Sequence, residues 1–400
     1  MANNNKHTGP NVPALRFPEF SGEWETFQLS DLASYSKERV KMGTLSADNY
    51  VSTENMQQDF AGIKDAISLP SSGTAVEFQV GDILISNIRP YLKKIWLSDR
   101  NGGCSTDVLS LRTKNEKVDS AFLYCCLAND DFVSYVMSGA KGVKMPRGDK
   151  QHISSFNLGV PSVQEQRKIA GLISLLEKRI STQSKIIEEL KTLRSVLNES
   201  LYSGCDTFQE LSFNDVGECY SGLSGKSGDD FGSGYPFIPY TNIFANDVID
   251  ENQIEYVQIR EDEIQNIVCH GDLLMTLSSE TPEEVGIGSV YLGTESPLYL
   301  NSFAFGIHIT RMDLVYAPYL SWLVSTKSFR RFILPYAQGS TRYNLQRTDF
   351  MKAKYRFPTL ERQKTISKLL SSYSLKIADE ERILKLYQDQ KQGLLEQMFI

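Results

Sequence analysis

The feature that most constrains this chain is a repeat. Val160-Pro161-Ser162-Val163-Gln164-Glu165-Gln166-Arg167-Lys168-Ile169 returns as Phe357-Pro358-Thr359-Leu360-Glu361-Arg362-Gln363-Lys364-Thr365-Ile366, and the two prolines lie 197 residues apart. Self-similarity at a fixed spacing means that one structural plan is used twice. After each proline comes a Ser or Thr and then a turn rich in glutamine and charge, which marks a helix start with proline just outside it. Apolar residues then follow in steps of three and four. In the first copy they are Ile169, Ile173, Leu176, Ile180, Ile187, Leu190, Leu197 and Leu201, broken only by Gln183 and Arg194. In the second they are Ile366, Leu370, Tyr373, Ile377, Leu384, Tyr387, Leu394 and Met398, broken by Glu380 and Lys391 at the corresponding places. This is a heptad seam.

A helix of about 40 residues is roughly 60 Å long, more than a compact domain is wide, so it cannot bury such a seam alone. Two helices of matched length and seam in one chain, with a globular segment between them, predict an antiparallel coiled coil. The alternative, in which each helix belongs to the core of its own domain, stays open. Polar outer faces such as Lys178-Arg179, Glu188-Glu189 and Glu380-Glu381-Arg382 stand against it.

The segments ahead of the helices also correspond. Gly81-Asp82-Ile83-Leu84 matches Gly271-Asp272-Leu273-Leu274, Leu29-Ser30-Asp31-Leu32 matches Phe213-Asn214-Asp215-Val216, and Ala121-Phe122-Leu123-Tyr124 matches Pro318-Tyr319-Leu320-Ser321. Four hundred residues are more than one core serves. Alternating strands such as Val108–Leu111 and Ala304–Ile309, mixed with short helices, give each globular part an α/β (mixed α+β) character. The expected plan is a flexible N-terminus (1–14), a first domain (15–160), a long helix (161–203), a second domain (204–357) and a second long helix (358–400), with an approximate internal twofold repeat.

Several chemistries are excluded. Gly222-Leu223-Ser224-Gly225-Lys226-Ser227 ends like a phosphate-binding loop, but its first glycine would stand at position 220, which is Tyr220. Asn87-Ile88-Arg89-Pro90-Tyr91 resembles the Asn-Pro-Pro-Tyr signature of adenine methyltransferases, yet Ile88 and Arg89 break it and no glycine-rich cofactor loop precedes it. The six cysteines contain no CxxC pair and the four histidines do not cluster near them, so free buried thiols are expected and no metal site. No catalytic residue is assigned. With no apolar run long enough to span a membrane and no signal-peptide core, the expected location is cytoplasmic.

Taken together, the opening of each long helix, the duplicated layout, the Gly-Asp-[Ile/Leu]-Leu signature and Leu15-Arg16-Phe17-Pro18-Glu19-Phe20 with Trp24 resemble the specificity subunits of type I restriction-modification enzymes. The resemblance covers nearly the whole chain; Arg362 departs from it, where the usual motif has Glu. It implies two target recognition domains, each binding half of a split double-stranded DNA site, and paired helices that dock two modification subunits. It also implies S-adenosylmethionine in those subunits and ATP with Mg in restriction subunits, with no cofactor, no membrane and no enzyme activity in this chain. A two-domain coiled-coil protein-interaction scaffold without DNA specificity remains the alternative, separated by specific DNA retention; an autonomous DNA methyltransferase would bind a methyl donor.

The net charge of −7 does not advertise DNA binding, but a local basic stripe can meet phosphates while acidic faces look elsewhere. Candidate contacts are cations, amides and aromatics in loops. In the first domain these are Arg89, Tyr91, Lys93, Lys94, Lys141, Lys144, Arg147 and Lys150. In the second they are Lys327, Arg330, Arg331, Arg342, Tyr343, Asn344, Gln346 and Arg347.

Overall fold

The computed structural model describes residues 11–114 and 116–400. They form two compact units, one from the chain up to Ser184 together with Ile383–Ile400, the other from Lys185–Arg382. Most of the expected flexible N-terminus lies outside the described residues. Asn11, at its inner end, accepts a hydrogen bond from the Trp24 amide at 2.8 Å.

In the first unit, Glu25–Gln28 pairs antiparallel with Asn157–Val160, the strand that runs into the long helix. A four-stranded sheet has the order Ala33–Tyr35, Val108–Thr113, Ile83–Ser86, Ile95–Leu97, and a second runs Arg39–Lys41, Thr74–Phe78, Gly102–Cys104, Tyr50–Val51. The second unit repeats the plan. Phe208–Ser212 pairs with Lys354–Pro358, and the order Gly217–Ser221, Ala304–Ile309, Leu273–Thr276, Gly288–Val290 restates the first four-stranded sheet. Two three-stranded sheets follow, one of Glu255–Val257, Phe231–Ile238 and Tyr299–Leu300 and one of Ser278–Ser279, Tyr343–Leu345 and Ala337–Gly339. The strand after each Gly-Asp motif is central and buried on both faces, which is why Ile83–Ser86 and Leu273–Thr276 read as unbroken apolar runs rather than alternating ones.

The long helices are Val163–Ser203 and Leu360–Met398. Each starts after its proline because proline supplies no helix N–H and ends the preceding strand. The glutamine of each helix opening closes the joint. Gln166 is fully buried: its Oε1 accepts from the Asp119 amide at 2.8 Å, and its Nε2 donates to the carbonyls of Lys117 and Pro161, both at 2.8 Å. Gln363, also fully buried, accepts from the Tyr316 amide at 2.8 Å and donates to Leu314 O at 3.1 Å and Pro358 O at 2.8 Å. One side chain thus ties strand end, helix start and the preceding domain segment in each unit.

The departure at Arg362 has a physical reason. Glu165, its counterpart, is buried and bound by the Arg16 guanidinium at 2.7 Å. Arg16 comes from the Leu15–Phe20 segment, and the repeat provides no such segment ahead of the second domain, so a buried glutamate there would lack its cation.

The helices run antiparallel. In the first unit Glu177 pairs with Lys391 at 2.7 Å and the Arg179 guanidinium lies 5.8 Å over the Tyr387 ring. In the second Lys191 pairs with Glu381 at 2.8 Å and Arg194 donates to Ser374 Oγ at 2.7 Å. Two of the four polar breaks in the seam, Arg194 and Lys391, are therefore cross-helix links, and Arg194–Ser374 is the 197-residue image of Lys391–Glu177. Every expected seam residue is buried or half-buried. The seam ends also serve the domains: Ile169, Ile173 and Met398, with Leu395 beside the seam, join the first core next to Phe122 and Leu123, and Ile366 and Leu370 join the second beside Leu320 and Phe329. The two arrangements weighed from sequence thus coexist at different positions along one seam. A fully buried Ile or Leu contributes about 1.5–3 kcal/mol, and a charge at Ile173 or Leu370 would break both core and seam.

Candidate nucleic-acid interface

The Gly-Asp motif anchors the surface that carries most of the sequence candidates. Asp82 is buried, accepts from the Gln79 amide at 2.9 Å and is gripped by Arg112 with Nη2 at 2.8 Å. This partnership holds the Arg112 guanidinium pKa above its ordinary value. Asp272 is equally buried, but its partners are His308 Nδ1 at 2.8 Å, the Tyr220 hydroxyl at 2.6 Å and the Cys269 amide at 2.9 Å. Burial, with Asp272 alongside, drives the Tyr220 phenol strongly upward. Where the first unit uses a permanent cation, the second uses an imidazole and a phenol.

Beyond each motif strand the chain enters the same small frame. In the first unit Ile88 bridges Arg147, which bridges Lys141, all antiparallel. In the second Ser278 pairs with Asn344, which pairs with Gln338. Lys141 and Gln338, Gly142 and Gly339, and Arg147 and Asn344 are each 197 apart, so the two hairpins correspond residue for residue. Gly142 and Gly339 turn them with φ of 95° and 152°. A Cβ at Gly339 would sit 2.0 Å from the Arg342 carbonyl, so only glycine fits.

A short 3-10 turn led by proline follows each frame: Pro90–Leu92 and Pro282–Glu284. In the first unit it is bracketed by two non-glycine residues in the left-handed region, Arg89 (φ 50°) and Lys93 (φ 54°). Asp59 and Phe60 share that conformation, and their amides donate to Leu92 O and Lys93 O at 3.2 and 2.9 Å. Among the described residues these are all the non-glycine positive-φ positions, and they meet in one place. Each costs about 1–3 kcal/mol, and such strain collects at ligand-contacting loops. Beside them Thr53, Glu54, Ile88, Arg89, Lys94 and Met145 line a cavity of about 250 Å³.

The candidate cations divide by what already holds them. Lys93 pairs with Asp130, Lys141 with Asp149 and Arg147 with Asp107, at 2.6–2.9 Å. Lys94 donates to Thr53 O at 2.7 Å, Lys150 lies over the Tyr35 ring, and Arg347 donates to Ser221 Oγ at 2.9 Å. Lys141 and two backbone amides hold the Asp149 carboxyl down at about 2. Arg330 is not a free contact. Its guanidinium donates to the carbonyls of Glu283, Val285 and Gly286 at 2.6–2.8 Å, and burial lowers its pKa, so it clamps the turn from within. Among the described residues the side chains of Arg89, Tyr91, Lys144, Lys327, Arg331, Asn344 and Gln346 make no hydrogen bond or ion pair, and Tyr343 only packs beside the core. These heads are available to a ligand.

Sequence reasoning missed the aromatic part of the second surface. Arg342 stacks 4.8 Å over the exposed Phe303 ring, while Tyr240 stacks on exposed Phe244 and donates to Ser278 O. The rings of Tyr240, Phe244 and Phe303 lie outside the basic clusters, so a search led by cations and amides could not reach them. Sequence reasoning also missed Glu280, because the search was for positive charge.

The thiols correct another expectation. Cys104, Cys125 and Cys126 are buried and Cys205 is half-buried, but Cys219 and Cys269 are exposed. His308, remote from Cys269 in sequence, comes within 4.8 Å of it together with Asp272. The Asp272 carboxylate is already satisfied by three donors, so the trio reads as the support of the motif strand.

Residues 21–192 match the family model described as the type I restriction modification DNA specificity domain. The chain is 21% identical over 396 residues to the type I restriction enzyme MjaVIII specificity subunit of Methanocaldococcus jannaschii, covering 90% of this chain and 87% of that one. Over 181 residues it is 24% identical to the EcoDI specificity subunit of Escherichia coli, 44% of this chain and 40% of the relative. Its fold is similar to the type I restriction-modification S subunit from M. genitalium, with TM-score 0.56 and 13% identity over 97% and 99% of the two chains. A chain from a structure describing complex assembly and conformational transition of a type I system gives TM-score 0.58 and 18% identity over 93% and 96%. No helix among the described residues is long and apolar enough to cross a membrane. Family model, long relative and fold agree with the residues that suggested them: residues 21–192 match a type I restriction modification DNA specificity domain, and nearly the whole chain is similar in sequence and fold to type I specificity subunits.

Proposed function

We propose that this subunit reads an asymmetric, two-part DNA site, one part per unit, and docks modification subunits on its paired helices. The observation that carries the reading is the frame that occurs twice, hairpin for hairpin, while presenting different side chains: Arg89, Lys141, Lys144 and Arg147 in one unit, Arg342, Asn344, Gln346 and Arg347 in the other. A repeated scaffold with divergent loops suits two unlike half-sites held by one architecture. The long helices join the units in sequence and would set the unread spacer between the half-sites. Within the second unit Ile186, Leu193, Val196, Leu369 and Leu375 stay exposed on the long helices, outside the seam. An apolar stripe of this kind supports docking of partner helices.

The chemistry belongs to partners. The modification subunits would bind S-adenosylmethionine and methylate adenine, and the restriction subunits would use ATP and Mg. The test is to exchange one unit for that of another specificity subunit, joined within the long helices, and map methylated adenines in cells carrying the assembled methyltransferase. One half of the methylated sequence should change while the other stays. A sequence unchanged by either exchange, in an active complex, would remove base reading from the units.

A further inference from the structure

The two units follow one backbone plan at the reading frame but reverse its charge. In the first, Ile88 in the frame and Pro90 in the turn are separated by Arg89 alone. In the second, Ser278 in the frame and Pro282 in the turn are separated by Ser279, Glu280 and Thr281. The second loop is two residues longer, and Glu280 lies within the addition. Both turns are held from behind by the short helix that follows the domain's apolar helix: Lys93 pairs with Asp130 in one, and Arg330 clamps the carbonyls of Glu283, in the turn, and of Val285 and Gly286, just after it, in the other. The loop in front of each clamp is therefore placed by the fold rather than left loose.

Glu280 is exposed, and among the described residues its carboxylate makes no hydrogen bond or ion pair. Nearby Glu284 differs, since the Ser279 hydroxyl donates to it at 2.6 Å. A free carboxylate beside a polyanion is repelled unless a donor meets it, and phosphates offer none. In the major groove the available donors are the exocyclic amines of cytosine and adenine, and a carboxylate accepts typically from cytosine N4. An arginine in the matching place pairs with guanine O6 and N7.

Resting on the DNA-reading function above, we propose that Glu280 is a base-reading residue of the second unit, which takes a cytosine amino group at one position of its half-site, while Arg89 takes a guanine in the other. The carboxylate also excludes guanine and thymine there, whose carbonyl oxygens would face it without a proton between them.

The experiment uses the full chain assembled with its modification subunits in cells lacking other adenine methylation. Methylated sequences are mapped for wild type, Glu280→Gln, Glu280→Asp, Arg89→Gln and, as control, Glu283→Gln. Glu280→Gln should relax one cytosine position, letting other bases in by roughly fivefold to a hundredfold, the worth of one good base contact. Glu280→Asp should restore part of the preference, and Arg89→Gln should relax a guanine in the opposite half. Retention of the modification subunits on size exclusion shows that each variant is assembled. An unchanged sequence for Glu280→Gln, or an equal loss at all sequences, overturns the assignment. If Arg89→Gln still relaxes its own half-site, DNA reading survives and only Glu280 fails. If neither variant alters any position and unit exchange is also silent, the DNA-reading function itself fails.

Discussion

Replacing Gln166 with leucine tests whether the joint between domain and helix is as tight as its hydrogen bonds imply. Leucine approximates the volume of glutamine but removes its three bonds, leaving the Asp119 amide and the carbonyls of Lys117 and Pro161 without that partner in a dry site. A buried polar group left unsatisfied costs about 1–3 kcal/mol. Carbonyls have a second lone pair and lose less, and leucine is itself cheaper to bury, so the net loss for three groups is about 3–5 kcal/mol. That is a large share of the 5–15 kcal/mol typical of a domain. Gln363→Leu should cost the second unit a similar amount through Tyr316, Leu314 and Pro358. Urea unfolding followed by tryptophan fluorescence can separate them, because Trp24 and Trp96 report on the first unit and Trp322 on the second. Each variant should lower the midpoint of its own unit's transition far more than the other's. Glutamate at either position should fare no better than leucine, since a carboxylate accepts from the amide but faces two carbonyls without a donor. A loss below about 1 kcal/mol in both variants, against the per-bond magnitude above, would refute the claim that these glutamines fix the joint.

Three further outcomes are expected. Lys144→Ala and Arg331→Ala, which remove uncommitted cations, should weaken DNA binding at all sequences and each reduce the salt slope by about 1; an unchanged slope would move the phosphate path elsewhere. One heptad inserted into each long helix, opposite one another beside the Lys191–Glu381 pair, adds about 10 Å and should lengthen the unread spacer by roughly three base pairs without altering either half-site. Methylation mapping that returns the original spacer from an active complex would deny the helices this role. At pH 8 a thiol reagent should label Cys219 quickly, label Cys269 more slowly because partial desolvation and Asp272 raise its thiol, and leave Cys104, Cys125 and Cys126 silent until denaturation. Burial places Cys104 at about 12 and raises Cys125 and Cys126 also.

The helices and their seam were legible because a heptad repeats a local rule many times, and because Arg194 and Lys391 marked the same polar break in both copies. The fate of those breaks was not legible. That Arg194 would cross to Ser374 and Lys391 to Glu177 depends on register between segments far apart in sequence. The domain strands carried weaker signals, since short buried runs such as Ile83–Ser86 fit helix or strand alone. For the candidate surface, sequence could find cations but not what neutralises them. Arg147 and Arg330 look equally basic in the chain, yet one pairs with Asp107 and the other is enclosed by backbone carbonyls.

The places where the repeat holds and fails follow from energetics. Gln166 and Gln363 correspond because three bonds to fixed backbone groups admit no other side chain without a cost of several kcal/mol. Asp82 and Asp272 correspond because each is a buried carboxylate organising a turn, but their counter-groups need only supply donors, and Arg112 gives way to His308 and Tyr220. Arg89 and Glu280 do not correspond at all, because exposed side chains change for within about ±0.5 kcal/mol. Stability thus confines the joints and motif strands while leaving the loop surface free to vary. Under the proposed function, a new specificity therefore arises at the loops without disturbing the scaffold that presents them, as the opposite charges of Arg89 and Glu280 illustrate.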